Sequence, residues 1–141
     1  MKYYIDTSVY LNLWQKEVSQ ITKEKFWEHA EMFLQMIEEN NYLILYSGFI
    51  IKELIYILKE KFEEKRNMFL DRKRFRKVFA NPADYEFARK LEELSNYSIS
   101  FFDCVHIILT KKENAFLISR DKKLIEFAKG YCRACKPEEL L

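Results

Sequence analysis

The sequence predicts an α/β fold, a mostly parallel central sheet with helices on both faces, and two patterns carry that prediction. Short apolar runs of strand length (KYYI, YLILY, AFLIS) alternate with longer stretches of helical periodicity from one end of the chain to the other. The second and third of these runs are apolar almost throughout, as expected of strands buried on both faces of a parallel sheet. With 141 residues, 49% of them hydrophobic, there is apolar material for one core, and residues 1–141 read as a single domain without repeat or linker.

Each element has a local reason. Residues 2–5, KYYI, are β-prone and are stopped by Asp6-Thr7-Ser8, after which Val9, Leu11, Leu13 and Trp14 begin a helical pattern. From Thr22, a candidate N-cap, to Asn40, the positions Phe26, Trp27, Ala30, Phe33, Leu34 and Ile37 form one apolar stripe of an amphipathic helix. Tyr42 to Tyr46 is the second strand, ended by Ser47-Gly48, and a helix carrying Glu53 in its first or second turn follows and passes into a basic stretch. Asn81-Pro82 opens the next helix as N-cap and first residue, with Tyr85, Ala88, Leu91 and Leu94 as its apolar stripe. The helix DCVHIILTKK begins at Asp103, AFLIS runs to Ser119, and a short helix (Leu124 to Ala128) and a short strand near Tyr131 complete the order. The opening MKYYIDTSVYLNLW places Asp6 inside what would be a signal core, no apolar run reaches the roughly 18 residues of a membrane span, and the three cysteines are odd in number. A cytoplasmic protein with reduced thiols is expected.

The net charge of +2 does not by itself announce a nucleic-acid binder. Its distribution is uneven: Lys65, Arg66, Arg72, Lys73, Arg74, Arg76 and Lys77 face a single acid, Asp71, in one short segment. Phe69, Phe75 and Phe79 are interleaved with these cations, a pattern of an amphipathic helix whose rings pack on the core beneath solvated cations, and also a mixture suited to RNA phosphates and bases or to a partner peptide.

Four acids carry the chemistry. In open α/β sheets the functional crevice lies beyond the carboxyl ends of the strands, and Asp6 and Asp121 each follow a strand. Glu53 and Asp103 sit on early helical turns, so all four can converge on one edge. Clustered carboxylates repel unless a cation neutralises them. Oxygen ligands without a matching His or Cys set select Mg²⁺ or Mn²⁺ over zinc. Such a site suits phosphodiester hydrolysis, with a bound water activated for in-line attack. Read singly, Asp6, Asp103 and Asp121 are candidate helix caps and Glu53 a solvated surface residue.

These segments resemble the PIN-domain family. YYIDTSVYLNLW is similar to its opening strand and Asp-Thr-Ser turn, IIKELIYIL to the helix bearing its Glu, FFDCVHIIL to its third acidic motif and LISRD to its fourth, in family order from Tyr3 to Asp121. The resemblance implies a three-layer α/β sandwich and a Mg²⁺- or Mn²⁺-dependent ribonuclease acting on single-stranded RNA. Asp6, Glu53, Asp103 and Asp121 would be its catalytic and metal-binding residues, with Thr7, Ser8 and Ser119 supporting them. A domain of this size looks most like the VapC-type toxins, which implies an antitoxin partner and a homodimer. Lys123 stands where many relatives carry a further acid, and the basic segment lies outside the shared motifs.

Two other classes compete: a non-catalytic RNA- or partner-binding module on the same scaffold, and an aspartyl-phosphate phosphatase, whose Asp-x-Asp variants would need an acid where Ser8 stands. Cys132 and Cys135 have C-x-x-C spacing but no second pair, so they read as incidental thiols. His106, one helical turn after Asp103, reads as a hydrogen-bonded structural residue.

Overall fold

A computed structural model describes residues 1–141. Five strands, β1 (Lys2–Ile5), β2 (Leu43–Tyr46), β3 (Phe75–Lys77), β4 (Phe116–Ile118) and β5 (Arg133–Cys135), form one sheet in the order β3-β2-β1-β4-β5. Every pairing is parallel, with Tyr3 opposite both Ile44 and Phe116, Leu45 opposite Arg76, and Leu117 opposite Ala134. The chain builds outward from β1 through β2 to β3, then returns to add β4 and β5 on the other side. The order therefore reverses between β1 and β4, where such sheets open a crevice at their carboxyl edge.

Helices cover both faces. Neighbouring strand residues point to opposite faces: the Tyr3 ring meets Phe33 of α2 (Phe26–Glu39), whereas Tyr4 meets His106 of α6 (Phe101–Lys112). α1 (Thr7–Trp14) packs beside α2, and α5 (Pro82–Leu94) beside α6. α3 (Gly48–Leu58) leads to a short α4 (Glu63–Arg66) flanked by 3₁₀ turns, and α7 (Lys122–Ala128) joins β4 to β5. The core is one contiguous cluster in which Tyr4, Ile5, Ile44, Leu45, Leu117 and Ile118 are all fully buried. No helix is long and apolar enough to cross a membrane.

Asn81 caps α5 in a reciprocal capping box with Asp84, with Pro82 as the first helical residue. Other expectations need correction. Thr22 is not the cap of α2, which begins at Phe26: residues 18–25 close on themselves through a Val18–Lys25 bridge, and the Thr22 amide donates to Ser19. The basic stretch is not a continued helix, because Phe75–Lys77 is captured as an edge strand by β2. The last strand lies at Arg133–Cys135 rather than at Tyr131, and Leu94 of the expected α5 stripe is exposed. The interleaved phenylalanines divide: Phe69 and Phe75 join a buried aromatic cluster with Tyr10 and Tyr46, while Phe79 remains 69% exposed.

Candidate active site

Asp6 is the residue after β1 and the N-cap of α1, and it is buried. All its side-chain hydrogen bonds converge on one oxygen, Oδ2, which accepts from the Ser8 hydroxyl (2.7 Å), the Ser119 hydroxyl (3.0 Å) and, more weakly, the Ser8 amide (3.4 Å). Oδ1 is left free. Ser119, fully buried at the end of β4, also accepts the Asp121 amide at 3.0 Å, and the Ser8 hydroxyl accepts the Arg120 amide at 3.0 Å. Ser8 and Ser119 thus lock the two loops at the crossover point together around Asp6. Asp121 caps α7, with Oδ1 taking the amides of Lys123 (3.0 Å) and Leu124 (3.3 Å). Two of the four acids are therefore helix caps and crevice residues at once.

Asp103 is not a cap. Ser100 caps α6, and Asp103 sits in its first turn, where the helix dipole favours a negative charge. No donor of the chain bonds its carboxylate. Burial raises its pKa to about 6, assisted by the charges of Asp6, Glu53 and Asp121 and opposed by His106. A carboxyl group so disfavoured as an anion fits a place awaiting a cation.

Glu53, in the second turn of α3, is positioned by a buried polar chain. The Nε2–H of His106 donates to Glu53 Oε1 at 2.8 Å; the Tyr4 hydroxyl lies 2.6 Å from His106 Nδ1 and 2.7 Å from the Ser47 hydroxyl. Ser47 in turn caps α3. His106 is fully buried; burial pushes its pKa down, but the hydrogen bond to Glu53 and the charges of Asp6, Glu53 and Asp103 outweigh this and hold it above its ordinary value.

One ligand atom each of Asp6, Asp103 and His106 lies within 4.8 Å of the others. Both ring nitrogens of His106 are already engaged, so the imidazole is not a free ligand. The free oxygens of the grouped acids are Asp6 Oδ1 and both of Asp103; Glu53 and Asp121 lie outside that group, with Oε2 and Oδ2 unbonded, but near enough for their charges to act on Asp103. The Thr7 hydroxyl beside Asp6 is buried without a partner, and buried polar atoms are rarely left so. An oxygen-only set with an orphaned hydroxyl and a carboxyl pushed up by its neighbours fits a hard divalent cation.

The basic segment is spread along the molecule. α3 descends from the carboxyl edge and β3 runs parallel to β2, so residues 59–74 turn at the opposite, amino edge. Arg66 pairs with Glu63, Arg74 with Glu38 and Arg76 with Glu113. Lys65 lies 5.9 Å from the Trp14 ring, and Arg72 and Lys73 lie in the turn before β3. Only Lys77 ends at the carboxyl edge. A cavity of about 620 Å³ lined by Lys111, Lys129 and Arg133 is also at the amino edge, away from the acids. Burial raises the thiol pKa values of Cys104, Cys132 and Cys135 to about 11–12, and all three are free.

Tyr4 and Ser47 carried no signal in the sequence beyond strand and turn, since their hydroxyls acquire a role only through His106, distant in the chain. Asp6 and Asp121 adjoin strand ends and Asp103 a helix start, positions that local pattern in the sequence marks, whereas Glu53 lies in the second turn of α3.

The family model described as PIN domain matches residues 3–130. Among solved structures, the chain is similar to one in VapBC2 from Rickettsia felis bound to a DNA fragment from their promoter (TM-score 0.69, 18% identity, 96% of this chain and 98% of that one covered). It is also similar to one in VapBC-1 from nontypeable Haemophilus influenzae (TM-score 0.67, 15% identity, 97% and 98% covered) and one in FitAcB from Neisseria gonorrhoeae (TM-score 0.64, 15% identity, 96% and 97% covered). At these identities the likeness is one of fold. A comparison with curated proteins finds no match.

Proposed function

This chain belongs to the PIN domain family, and from that premise we propose that it is a divalent-metal-dependent endoribonuclease of the cytoplasm that cleaves single-stranded RNA. The observation that carries this reading is the Asp103 carboxylate, with an oxygen within 4.8 Å of one of Asp6 and no protein donor to satisfy it, its pKa raised by burial and by the charges of Asp6, Glu53 and Asp121. A binding module has no use for such an arrangement.

Asp6, Glu53, Asp103 and Asp121 would hold Mg²⁺ or Mn²⁺. When bound, the ion lowers the pKa of a water and stabilises the leaving oxygen of an in-line displacement. The chain's own contribution is to hold the acids in place. Ser8 and Ser119 occupy Asp6 Oδ2 and so leave Oδ1 free for the ion. His106, backed by Tyr4, fixes Glu53 Oε1 and leaves Oε2 to the site. Asp103 would serve the ion as the carboxylate, so binding would weaken as pH falls below about 6. The amino ends of α1, α6 and α7 meet here, and their dipoles offset part of the repulsion among the acids and favour an entering phosphate.

The VapBC and FitAcB neighbours support a toxin of a toxin-antitoxin pair with a protein antitoxin as partner; the working form proposed with it is a homodimer. The test is cleavage of a panel of single-stranded and structured RNAs by protein freed of any partner. Cutting in Mn²⁺ is expected to disappear with EDTA and with Asp6→Asn; cutting that survives both would reject the assignment.

A further inference from the structure

We propose that the concavity between the start of α3 and the end of β3 is a subsite for one nucleotide of single-stranded RNA crossing the acid cluster; this rests on the ribonuclease reading. The cavity, about 220 Å³, is lined by Ser47, Phe49, Lys52, Lys77, Phe79 and Tyr85. That is smaller than the ~300–1,000 Å³ of sites for drug-sized ligands, and it suits one base with its phosphate.

Its position follows from the topology. Ser47 follows β2 and Lys77 ends β3, so both stand on the same sheet edge as Asp6, one and two strands away. At about 4.8 Å per strand, the cavity lies roughly 5–10 Å from Asp6 along the sheet edge, within the span of one RNA strand. Ser47, which lines the cavity, is also the end of the hydrogen-bonded chain through Tyr4 and His106 to Glu53.

Its chemistry is that of a single-strand binder, which pairs cations for phosphates with rings for bases. Lys52 and Lys77 are exposed, and neither takes part in any ion pair of the chain. The carboxylate next to the lining, Asp84, is already neutralised by Lys112 at 2.9 Å, so the two lysines keep their charge for a ligand. Phe79 is 69% exposed with the Lys77 ammonium 5.5 Å from its ring centre, and Tyr85 and Phe49 form the facing edge-on pair at 6.1 Å. Rings and cations are presented together at a concave surface, unlike Phe69 and Phe75, which are buried.

The experiment is fluorescence anisotropy with labelled mixed-sequence single-stranded RNA in EDTA, over a range of salt. It compares wild type, Lys52→Ala/Lys77→Ala and Phe79→Ala, with Arg133→Ala at the opposite edge as control. The double variant should lower the slope of log affinity against log salt by about 0.7 per lysine. Phe79→Ala should weaken binding about tenfold with the slope unchanged, and the loss should vanish on an abasic strand. Affinities and slopes equal to wild type would overturn the subsite, as would unchanged RNA binding combined with lost binding of a polyglutamate peptide, which would assign the surface to a protein partner. Cleavage of the same RNA by wild type in Mn²⁺ is read separately. Cutting without any effect of these variants on binding rejects the subsite alone, and the binding effects without cutting reject the nuclease alone.

Discussion

Replacing Asp103 with Asn should make the metal-free protein more stable at alkaline pH and no more stable in acid. Moving a carboxyl from 3.8 to about 6 disfavours its ionised form by about 3 kcal/mol, at 1.36 kcal/mol for each tenfold. The sign follows from the direction. A raised pKa means that the folded state holds the proton more tightly than the unfolded state, so the contribution is fully present below about pH 4 and is lost as pH rises through about 6. Asp103 is only partly covered, so solvent screening reduces the effect to about 1–2 kcal/mol. For a chain of this length that is roughly 3–6 °C in melting temperature. The assay is thermal unfolding of wild type and Asp103→Asn in EDTA at about pH 4 and about pH 8. The variant should melt higher only at the upper pH, and adding Mn²⁺ should raise wild type while leaving the variant nearly unchanged, the pattern of a functional site that sacrifices stability. Equal melting temperatures at both pH values would refute the claim that the neighbouring acids disfavour this carboxylate.

Three further outcomes are expected. Ser119→Ala removes the hydroxyl shared by Asp6 and the Asp121 amide; it should lower stability by about 1–3 kcal/mol and cleavage about tenfold, read by unfolding and by single-turnover kinetics. Tyr4→Phe leaves His106 Nδ1 and Ser47 without their shared partner; it should destabilise the fold by about 1–3 kcal/mol and weaken Mn²⁺ binding through Glu53, measured by calorimetry. Burial tends to raise the Glu138 pKa, but its hydrogen bonds to Arg120, at 2.6 and 2.8 Å, outweigh this and hold it below the ordinary range. Its stabilisation is therefore present at neutral pH and lost as pH falls through that lowered value, so Glu138→Gln should destabilise by about 1–2 kcal/mol at neutral pH and by nothing in strong acid, as a pH series of melting curves would register.

The parallel sheet was legible because β2 and β4 are continuous apolar runs, and Asp6 and Asp121 because each ends such a run before a helix. β3 was not, since three residues, FRK, become a strand only by pairing with β2, a long-range contact that local pattern does not contain. Thr22 had the chemistry of a cap but lost the position to the Val18–Lys25 closure. Charge density in sequence also misplaced the basic surface. Seven cations between Lys65 and Lys77 suggested one patch, but the topology turns most of them away from the acids and ties three to carboxylates, while Lys52, outside the run, stands at the carboxyl edge. The polar chain Ser47–Tyr4–His106–Glu53 joins β1, α6 and the capped start of α3, and no spacing in the sequence encodes it.

If four acids form one divalent-cation site, Mn²⁺ calorimetry on wild type and Asp6→Asn, with circular dichroism on both, should show saturable binding by wild type and a loss of at least about tenfold in Asp6→Asn with the fold retained. Equal Mn²⁺ affinity in the two proteins, or no binding to a folded wild type, would contradict it.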